Sequence, residues 1–106
     1  MLVVNRFRVP EDEGERFRGE VESALAALGE QRGFVDGTIG RNLDDPSLWT
    51  LVTRWEHVGA YRRALSTYDV KLRAVPLLSS ALDEPSAFEV VEPDTVLNIG
   101  STRSIP

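Results

Sequence analysis

The sequence predicts an α+β domain in which two helices cover one face of a four-stranded antiparallel sheet. Short segments alternate apolar and polar residues, as strands do, and two longer segments repeat apolar residues at the spacing of helices. These segments follow one another in the order β-α-β-β-α-β along 106 residues, a length typical of a single domain.

Residues 2–9 form the first predicted strand, in which Asn5 falls on the apolar face. That face also carries Val3, Phe7 and Val9, while the opposite face carries Leu2, Val4, Arg6 and Arg8. Pro10 and a run of acidic residues suit the start of a helix, where the backbone dipole favours negative charge. The buried stripe of this helix is Phe17, Val21, Ala24, Leu25 and Leu28, and the helix is expected to end at Gly29 or Gly33.

The second and third strands are predicted to form an antiparallel hairpin. Residues 34–43 are the second strand, and Gly37 and Gly40 within it indicate a bulge or a close approach of backbones. Residues 44–47 suit a turn because aspartate, proline and serine are common in turns. The third strand follows and ends at Trp55 and Glu56.

A second amphipathic helix follows the third strand with almost no loop. Its apolar residues are Val58, Tyr61, Ala64, Leu65, Tyr68 and Leu72. Pro76 is expected to break or kink a further helical piece over residues 69–82, before a last strand at 87–91 and a tail at 93–106. The short joint places Trp55 at the mouth of the layer between sheet and helices, where an α/β layer can hold a ligand.

Right-handed crossovers fold this element order into a ferredoxin-like sheet over residues 1–92, which leaves one sheet face bare. The expected residues of that face mix apolar and charged side chains: Leu2, Val4, Thr50, Val52, Ala87, Val91, Arg6, Arg8, Arg54 and Glu89. This face is too apolar for full solvation, so two copies are predicted to pack as a homodimer. The tail's Val96, Leu97 and Ile99 are predicted to cross to the partner.

Composition excludes several classes of function. A formal net charge of -5 argues against nucleic-acid binding, including an RNA-recognition interpretation of the same element order. Without cysteine there is no thiolate nucleophile and no thiolate metal site. No apolar run approaches the roughly 20 residues of a membrane span, and the first residues do not resemble a signal peptide. A cytoplasmic protein with no membrane partner is therefore expected.

Several short motifs, in this order and spacing, carry a family resemblance. They are Asn5 with Val9-Pro10, Gly33-Phe34, Thr53-Arg54-Trp55-Glu56 and Ala60-Tyr61. The sequence resembles the antibiotic biosynthesis monooxygenase family over about residues 2–92. The resemblance implies a dimeric α+β barrel with a pocket between each sheet and its helices. The family includes cofactor-free oxygenases of polycyclic phenols, haem-degrading oxygenases, and proteins without an assigned activity.

The resemblance to haem-degrading members is incomplete. Those members combine the first-strand asparagine with a tryptophan in the second helix and a histidine that ligates iron. Asn5 matches, but Ala64 and Arg73 stand at the other two positions, and the only histidine, His57, lies at the strand-to-helix joint. Haem degradation is therefore disfavoured, and no metal site and no cofactor are predicted.

The resemblance to cofactor-free members is closer, because Trp55 and Tyr61 reproduce an aromatic pair of their pocket. Those members also use an asparagine four residues before the tryptophan, where this chain has Leu51. By this resemblance, Asn5 and Trp55 are the predicted catalytic residues. The predicted substrate-binding residues are Tyr61, Phe7, Tyr68 and Arg73.

An ionised phenol or enol in a dry cavity reacts with molecular oxygen without a metal, provided that donors stabilise the oxyanion. The Asn5 amide, the Trp55 indole and the Tyr61 hydroxyl supply such donors, and Arg73 could bind a carboxylate or phenolate. The predicted function is a cofactor-independent monooxygenase acting on a small aromatic or polyketide-like molecule. The alternative is a ligand-binding or stress-response dimer that keeps the cavity but has no catalysis. Each candidate residue also has a purely structural interpretation, as a packing or hydrogen-bonding group.

Overall fold

The computed structural model describes residues 1–97, and it has the predicted fold class. Four antiparallel strands form one sheet in the order β2-β3-β1-β4, with the helices on one face. After β1, a single 3-10 turn at Glu11–Glu13 leads into α1. The elements in chain order are β1 (Leu2–Arg8), α1 (Gly14–Gly29), β2 (Phe34–Arg41), β3 (Leu48–Trp55), α2 (Val58–Leu65), α3 (Tyr68–Arg73), α4 (Val75–Leu78) and β4 (Ala87–Phe88).

The core lies between the sheet and the helices. β1 is a central strand and pairs with β3 over its whole length, so that Val3 lies opposite Thr53 and Phe7 opposite Trp49. The predicted alternation of β1 is confirmed, because Val3, Phe7 and Val9 are buried beneath the helices. From α1, the side chains that fill this layer are Phe17, Val21, Ala24, Ala27 and Leu28.

The glycines of β2 mark a close approach rather than a bulge. The irregularity in pairing lies between Phe34 and Asp36 instead. A Cβ atom at Gly37 would stand 2.5 Å from Leu25 Cδ1 of α1, so glycine lets this helix approach the strand. β2 also ends two residues earlier than predicted, since the Asn42 side chain accepts hydrogen bonds from the Asp44 and Asp45 backbone amides and begins the turn.

The prediction of one helix from Val58 to Leu72 is wrong. α2 ends at Leu65, and Thr67 has extended backbone angles and begins α3. The Thr67 hydroxyl donates to the Ala64 carbonyl at 2.9 Å, a local bond that competes with continuation of the helix. Because the helical repeat restarts there, Tyr68 does not share a buried face with Tyr61 and is 81% exposed.

The predicted break at Pro76 is confirmed. α3 ends at Arg73, and Pro76 lies in the first turn of the four-residue helix α4, where its missing N–H costs no helical bond. None of the helices in residues 1–97 is both long enough and apolar enough to span a bilayer.

The last strand is shorter than predicted, and its side chains point to the opposite sides of the sheet from those predicted. β4 contains two residues, and Phe88 pairs with Leu2 while Ala87 pairs with Val3. Paired residues point to the same side, so Phe88 rather than Ala87 lies on the open sheet face. Val91 and the tail residues Val96 and Leu97 are exposed, whereas Ile99 lies outside the described residues.

Candidate functional site

One end of the layer beneath the helices holds an aromatic cluster of Phe34, Trp55 and Tyr61. The Trp55 ring lies 5.3 Å from Phe34 in an edge-on arrangement and 5.4 Å from Tyr61 in a tilted one. Trp55 is 2% exposed, and its indole N–H donates to the Thr53 hydroxyl at 2.9 Å. The indole is thus a buried packing centre whose donor already has a partner.

The opposite end of the layer holds a second aromatic cluster of Phe7, Phe17 and Trp49. Ring centroids are 5.1 Å apart for Phe7 and Phe17 and 5.2 Å apart for Phe17 and Trp49. Trp49 and Trp55 are six residues apart on β3, a span of about 20 Å at the rise of a strand. The predicted site residues Phe7 and Trp55 therefore lie at opposite ends of the layer, and their contact with one ligand stays a prediction.

Asn5 lies between the two clusters. It pairs with Leu51 of β3 and shares the helix-side face of β1 with Val3 and Phe7. Within residues 1–97 no hydrogen bond involves its side-chain amide, and no fully buried polar side-chain atom lacks a partner. Because Asn5 is half-buried, its amide is partly accessible, but Asn5 does not line any of the cavities described below.

Tyr61 contributes a second polar group at the Trp55 end. Its side chain is half-buried, and burial raises the pKa of its hydroxyl above the ordinary tyrosine value. The hydroxyl is protonated at neutral pH even at the ordinary tyrosine pKa value, and burial favours this form further. It can donate a hydrogen bond there but cannot act as a base.

Tyr68 and Arg73 have surroundings that differ from a pocket wall. Tyr68 projects into solvent at the start of α3. The Arg73 guanidinium donates to Asp69 at 3.2 Å and to the Ser23 hydroxyl and carbonyl at 3.4 and 3.3 Å. Arg73 thus ties α3 to α1, and the predicted substrate-binding roles of both residues stay predictions.

The structure has a cleft of about 340 Å³ between the start of α1 and α4, referred to below as the α1–α4 cleft. Of the predicted site residues, only Phe7 is among those that line it. Its lining is Phe7, Arg8, Val9, Pro10, Glu13, Arg16, Phe17, Glu20, Pro76, Leu77 and Ser80. Two further hollows, of about 410 and 360 Å³, lie on the open sheet face around Val4 and Arg6.

The sequence profile of the antibiotic biosynthesis monooxygenase family matches residues 1–72. The chain belongs to this family. A comparison with curated proteins returns no significant match.

Three solved structures are similar to this chain in fold. An asparagine-to-alanine variant of SnoaB, a cofactor-independent oxygenase from Streptomyces nogalater, is 27% identical with a TM-score of 0.67, covering 76% of this chain and 82% of SnoaB. A putative antibiotic biosynthesis monooxygenase from Deinococcus radiodurans is 15% identical with a TM-score of 0.69. The match covers 92% of this chain and 100% of the Deinococcus radiodurans chain. A conserved protein from Methanosarcina mazei Go1 is 22% identical with a TM-score of 0.66, covering 81% and 84%. The last two show the fold alone.

Sequence reasoning missed two polar residues near the Trp55 end of this antibiotic biosynthesis monooxygenase domain. The Thr53 hydroxyl accepts a hydrogen bond from the indole of Trp55. The two residues are two positions apart on a strand and therefore share a face, which could have indicated this contact from sequence. His57 caps α2, its Nδ1 accepting from the Ala60 amide at 3.1 Å. Its position just before the first helical residue could have indicated this capping role from sequence. Within residues 1–97, no three metal-binding side chains form a cluster.

Proposed function

We propose that this member of the family is a cofactor-independent monooxygenase of a small aromatic or polyketide-like molecule. The observation that carries the proposal is the Asn5 amide, which lies on the helix-side face of β1 without a hydrogen-bond partner in the described chain. Such a partly accessible amide can donate a hydrogen bond to a ligand's oxygen, because no group of the described chain occupies it. The likeness to SnoaB supports the same reaction class.

The proposed reaction converts a ring methylene beside a phenol or ketone into a carbonyl. The enol form of the substrate loses a proton, and its carbanion forms a C–O bond with molecular oxygen to give a peroxide. Loss of water then leaves the carbonyl, so CH₂ and O₂ become C=O and H₂O. The substrate supplies all four electrons, and the protein's part is to bind the anion and exclude water.

Asn5 is proposed to donate its amide N–H to the developing oxyanion. Tyr61, whose pKa is raised by burial, is proposed to donate a hydrogen bond to a different polar group of the substrate, at the Trp55 end of the layer. Trp55 is assigned a positioning role, because its own N–H is bonded to Thr53 and its ring packs against Tyr61.

Replacing Asn5 with alanine is expected to lower oxygen consumption with an anthrone substrate about 100- to 1,000-fold, because one oxyanion donor is lost. An oxygen electrode gives the rate. Asn42→Ala, which removes an amide at the hairpin turn outside the layer, is the matched control and should retain the rate. Equal rates for wild type and Asn5→Ala would contradict the proposed role.

The rate is expected to rise with pH in step with the acidity of the substrate. The Tyr61 hydroxyl already holds its proton at neutral pH, and burial raises its pKa further; the His57 Nδ1 accepts from the Ala60 amide. Water is therefore proposed to take the proton, and ionisation of the substrate determines how the rate depends on pH. Oxygen uptake with two anthrones of different acidity checks this: the two midpoints should differ as the substrate pKa values do. A shared midpoint would indicate an enzymatic base.

A second candidate function is binding of the same class of molecule without turnover. Two observations favour it: Leu51 is fully buried where cofactor-free relatives have an asparagine, and the Trp55 donor is occupied. Binding of an anthrone without oxygen uptake would select this function.

We also propose that the active form is a homodimer joined through the open sheet face. The apolar part of this face consists of the pair Val4 and Val52 and the pair Leu2 and Phe88, and Thr50 follows Val52 on the same face of β3. The two hollows at Val4 and Arg6 leave room for side chains of a second copy.

Two arginines on this face are held by hydrogen bonds within the chain, and a third, Arg54, lies 3.9 Å from Asp36. Arg6 donates two hydrogen bonds to Glu84, at 2.6 and 2.8 Å, and Arg8 donates to Asp45 at 2.6 Å. The bond to Arg6 holds the pKa of Glu84 below its usual value, so the pair stays ionised at neutral pH. A partner surface therefore meets neutralised arginines rather than free cations.

A further inference from the structure

We propose that residues 82–86, which join α4 to β4, form a gate at the outer edge of β1 and admit the ligand to the Asn5 side chain. These residues are called the 82–86 strap below. The inference rests on the proposed function, because it assigns the route by which the substrate reaches Asn5.

A route is needed because Asn5 lies beneath the helices and opens into none of the described cavities. It shares the helix-side face of β1 with Val3 and Phe7 and is half-buried. The α1–α4 cleft and the two hollows of the open sheet face are lined by other residues. A molecule that accepts a hydrogen bond from the Asn5 amide therefore has to displace part of the chain.

The strap crosses the outer edge of β1 at Asn5. The Val4 amide donates to the Ser86 carbonyl at 2.7 Å, and the Leu82 amide donates to the Arg6 carbonyl at 2.8 Å. These two hydrogen bonds flank Asn5 on the side of β1 that faces away from β3. Movement of the strap would thus open the layer directly beside Asn5.

The strap does not continue the pairing of β4. That pairing, in which Leu2 lies opposite Phe88, would bring Glu84 opposite Arg6 if it continued. The Arg6 carbonyl instead accepts from Leu82, two residues earlier in the chain, so the strap bulges from the sheet edge. A bulged segment has few ladder hydrogen bonds to break when it moves.

The strap has little packing of its own, whereas both of its ends are fixed. Residues 83–85 are exposed, and Leu82 and Ser86 are only half-buried. Before the strap, α4 is anchored by the buried Leu77, and after it β4 is paired with β1. Segments with few buried apolar contacts open locally at low free-energy cost, and mobile segments between fixed elements commonly close binding sites.

The ion pair of Arg6 and Glu84 is the latch of this gate. The Arg6 guanidinium donates to the two carboxylate oxygens of Glu84 at 2.6 and 2.8 Å, in the fork geometry that favours arginine–carboxylate pairs. It ties the middle of the strap to the open face of β1. Because both side chains are partly exposed, the pair is weak enough to open and form again.

Hydrogen exchange followed by NMR tests whether the strap opens. In wild-type protein the Val4 and Leu82 amides are expected to exchange at least about tenfold faster than the Phe7 amide, which belongs to the β1–β3 pairing. Glu84→Gln removes the charge of the latch and should speed exchange at both amides about two- to fivefold. Solvent exchange of the Asn5 side-chain NH₂ protons should rise with it. Equal protection of Leu82 and Phe7, or no response to Glu84→Gln, would overturn the proposal.

Asp45→Asn is the matched control for Glu84→Gln. Asp45 accepts from Arg8 on the same sheet face at 2.6 Å, but it belongs to the turn between β2 and β3. Its replacement should leave exchange of the Val4 and Leu82 amides unchanged. Equal acceleration by the two variants would indicate general loosening of the sheet and would overturn the latch.

A covalent lock tests whether opening admits the substrate. The chain contains no cysteine, so a reducible bis-thiosulfonate linker joins only the two thiols of Arg6→Cys/Glu84→Cys. Cross-linking is expected to lower oxygen uptake with an anthrone at least about tenfold, and reduction of the linker is expected to restore it. Arg8→Cys/Asp45→Cys, cross-linked on the same face, should lose less than about twofold. Undiminished uptake by the fully cross-linked Arg6→Cys/Glu84→Cys protein would overturn the gate.

Failure of the gate and failure of the oxygenase function give different results. If wild-type protein is active and the lock has no effect, the oxygenase function stands and the gate is rejected. If wild-type protein takes up no oxygen with any anthrone, the oxygenase function is rejected, and exchange at Leu82 and at the Asn5 side chain decides whether the strap opens.

Discussion

Trp55→Ala is expected to lower the free energy of unfolding by about 3–5 kcal/mol, the usual cost of removing a buried tryptophan. The side chain is 2% exposed and joins Phe34 of β2 to Tyr61 of α2. Its removal opens a cavity between the sheet and α2 and leaves the Thr53 hydroxyl without its donor. Urea unfolding followed by far-ultraviolet circular dichroism measures the change.

Two further variants separate volume from hydrogen bonding. Thr53→Val keeps the volume near Trp55 but leaves the indole N–H unpaired, a loss of about 1–3 kcal/mol. Leu43→Ala, at a fully exposed position in the β2–β3 turn, should change stability by less than about 0.5 kcal/mol. A Trp55→Ala loss no larger than that of Leu43→Ala would show that the indole does not hold this end of the layer together.

The sheet was predictable from sequence because its central strands have one buried face. Val3 and Phe7 of β1 alternate with Leu2, Val4 and Arg6, and only one register buries the apolar set. β4 has no such constraint, since only two of its residues pair. The choice between Ala87 and Phe88 for the open face was therefore not encoded in local alternation, and the predicted side was wrong.

The predicted helix boundaries were wrong for a different reason. The spacing of apolar residues from Val58 to Leu72 fits one helix, yet the Thr67 hydroxyl bonds to the Ala64 carbonyl and the chain turns. Periodicity describes which residues share a face if the helix continues, but a local side-chain bond decides whether it does. Tyr68 was consequently assigned to a pocket and lies in solvent.

The candidate site was predictable in its residue types but not in its layout. Asn5 stands on the apolar face of its strand, and that anomaly is visible in sequence. The separation of Phe7 from Trp55 follows from the pairing of Phe7 with Trp49, and pairing is a tertiary property. The α1–α4 cleft likewise depends on where α4 packs, which no pattern within Val75–Leu78 specifies.

Val52→Asp is expected to convert the proposed dimer into monomers at low micromolar concentration. Val52 lies opposite Val4 at the centre of the open face, and a two-fold dimer would bury the new carboxylate twice. Unpaired buried charges cost several kcal/mol each, so the dissociation constant should rise at least about 1,000-fold, a change of about 4 kcal/mol. Size-exclusion chromatography with light scattering measures the mass of each species.

Leu43→Asp adds the same charge at the fully exposed turn and should leave the dimer unchanged. Arg6 is already paired with Glu84, and Arg8 with Asp45. Neither of these two arginines is therefore free to neutralise the carboxylate that Val52→Asp introduces. Wild-type protein running at the mass of one chain would refute the dimer. A Val52→Asp dimer as stable as wild type would move the interface to another surface, and the apolar centre around Val4 and Phe88 would then need a different occupant.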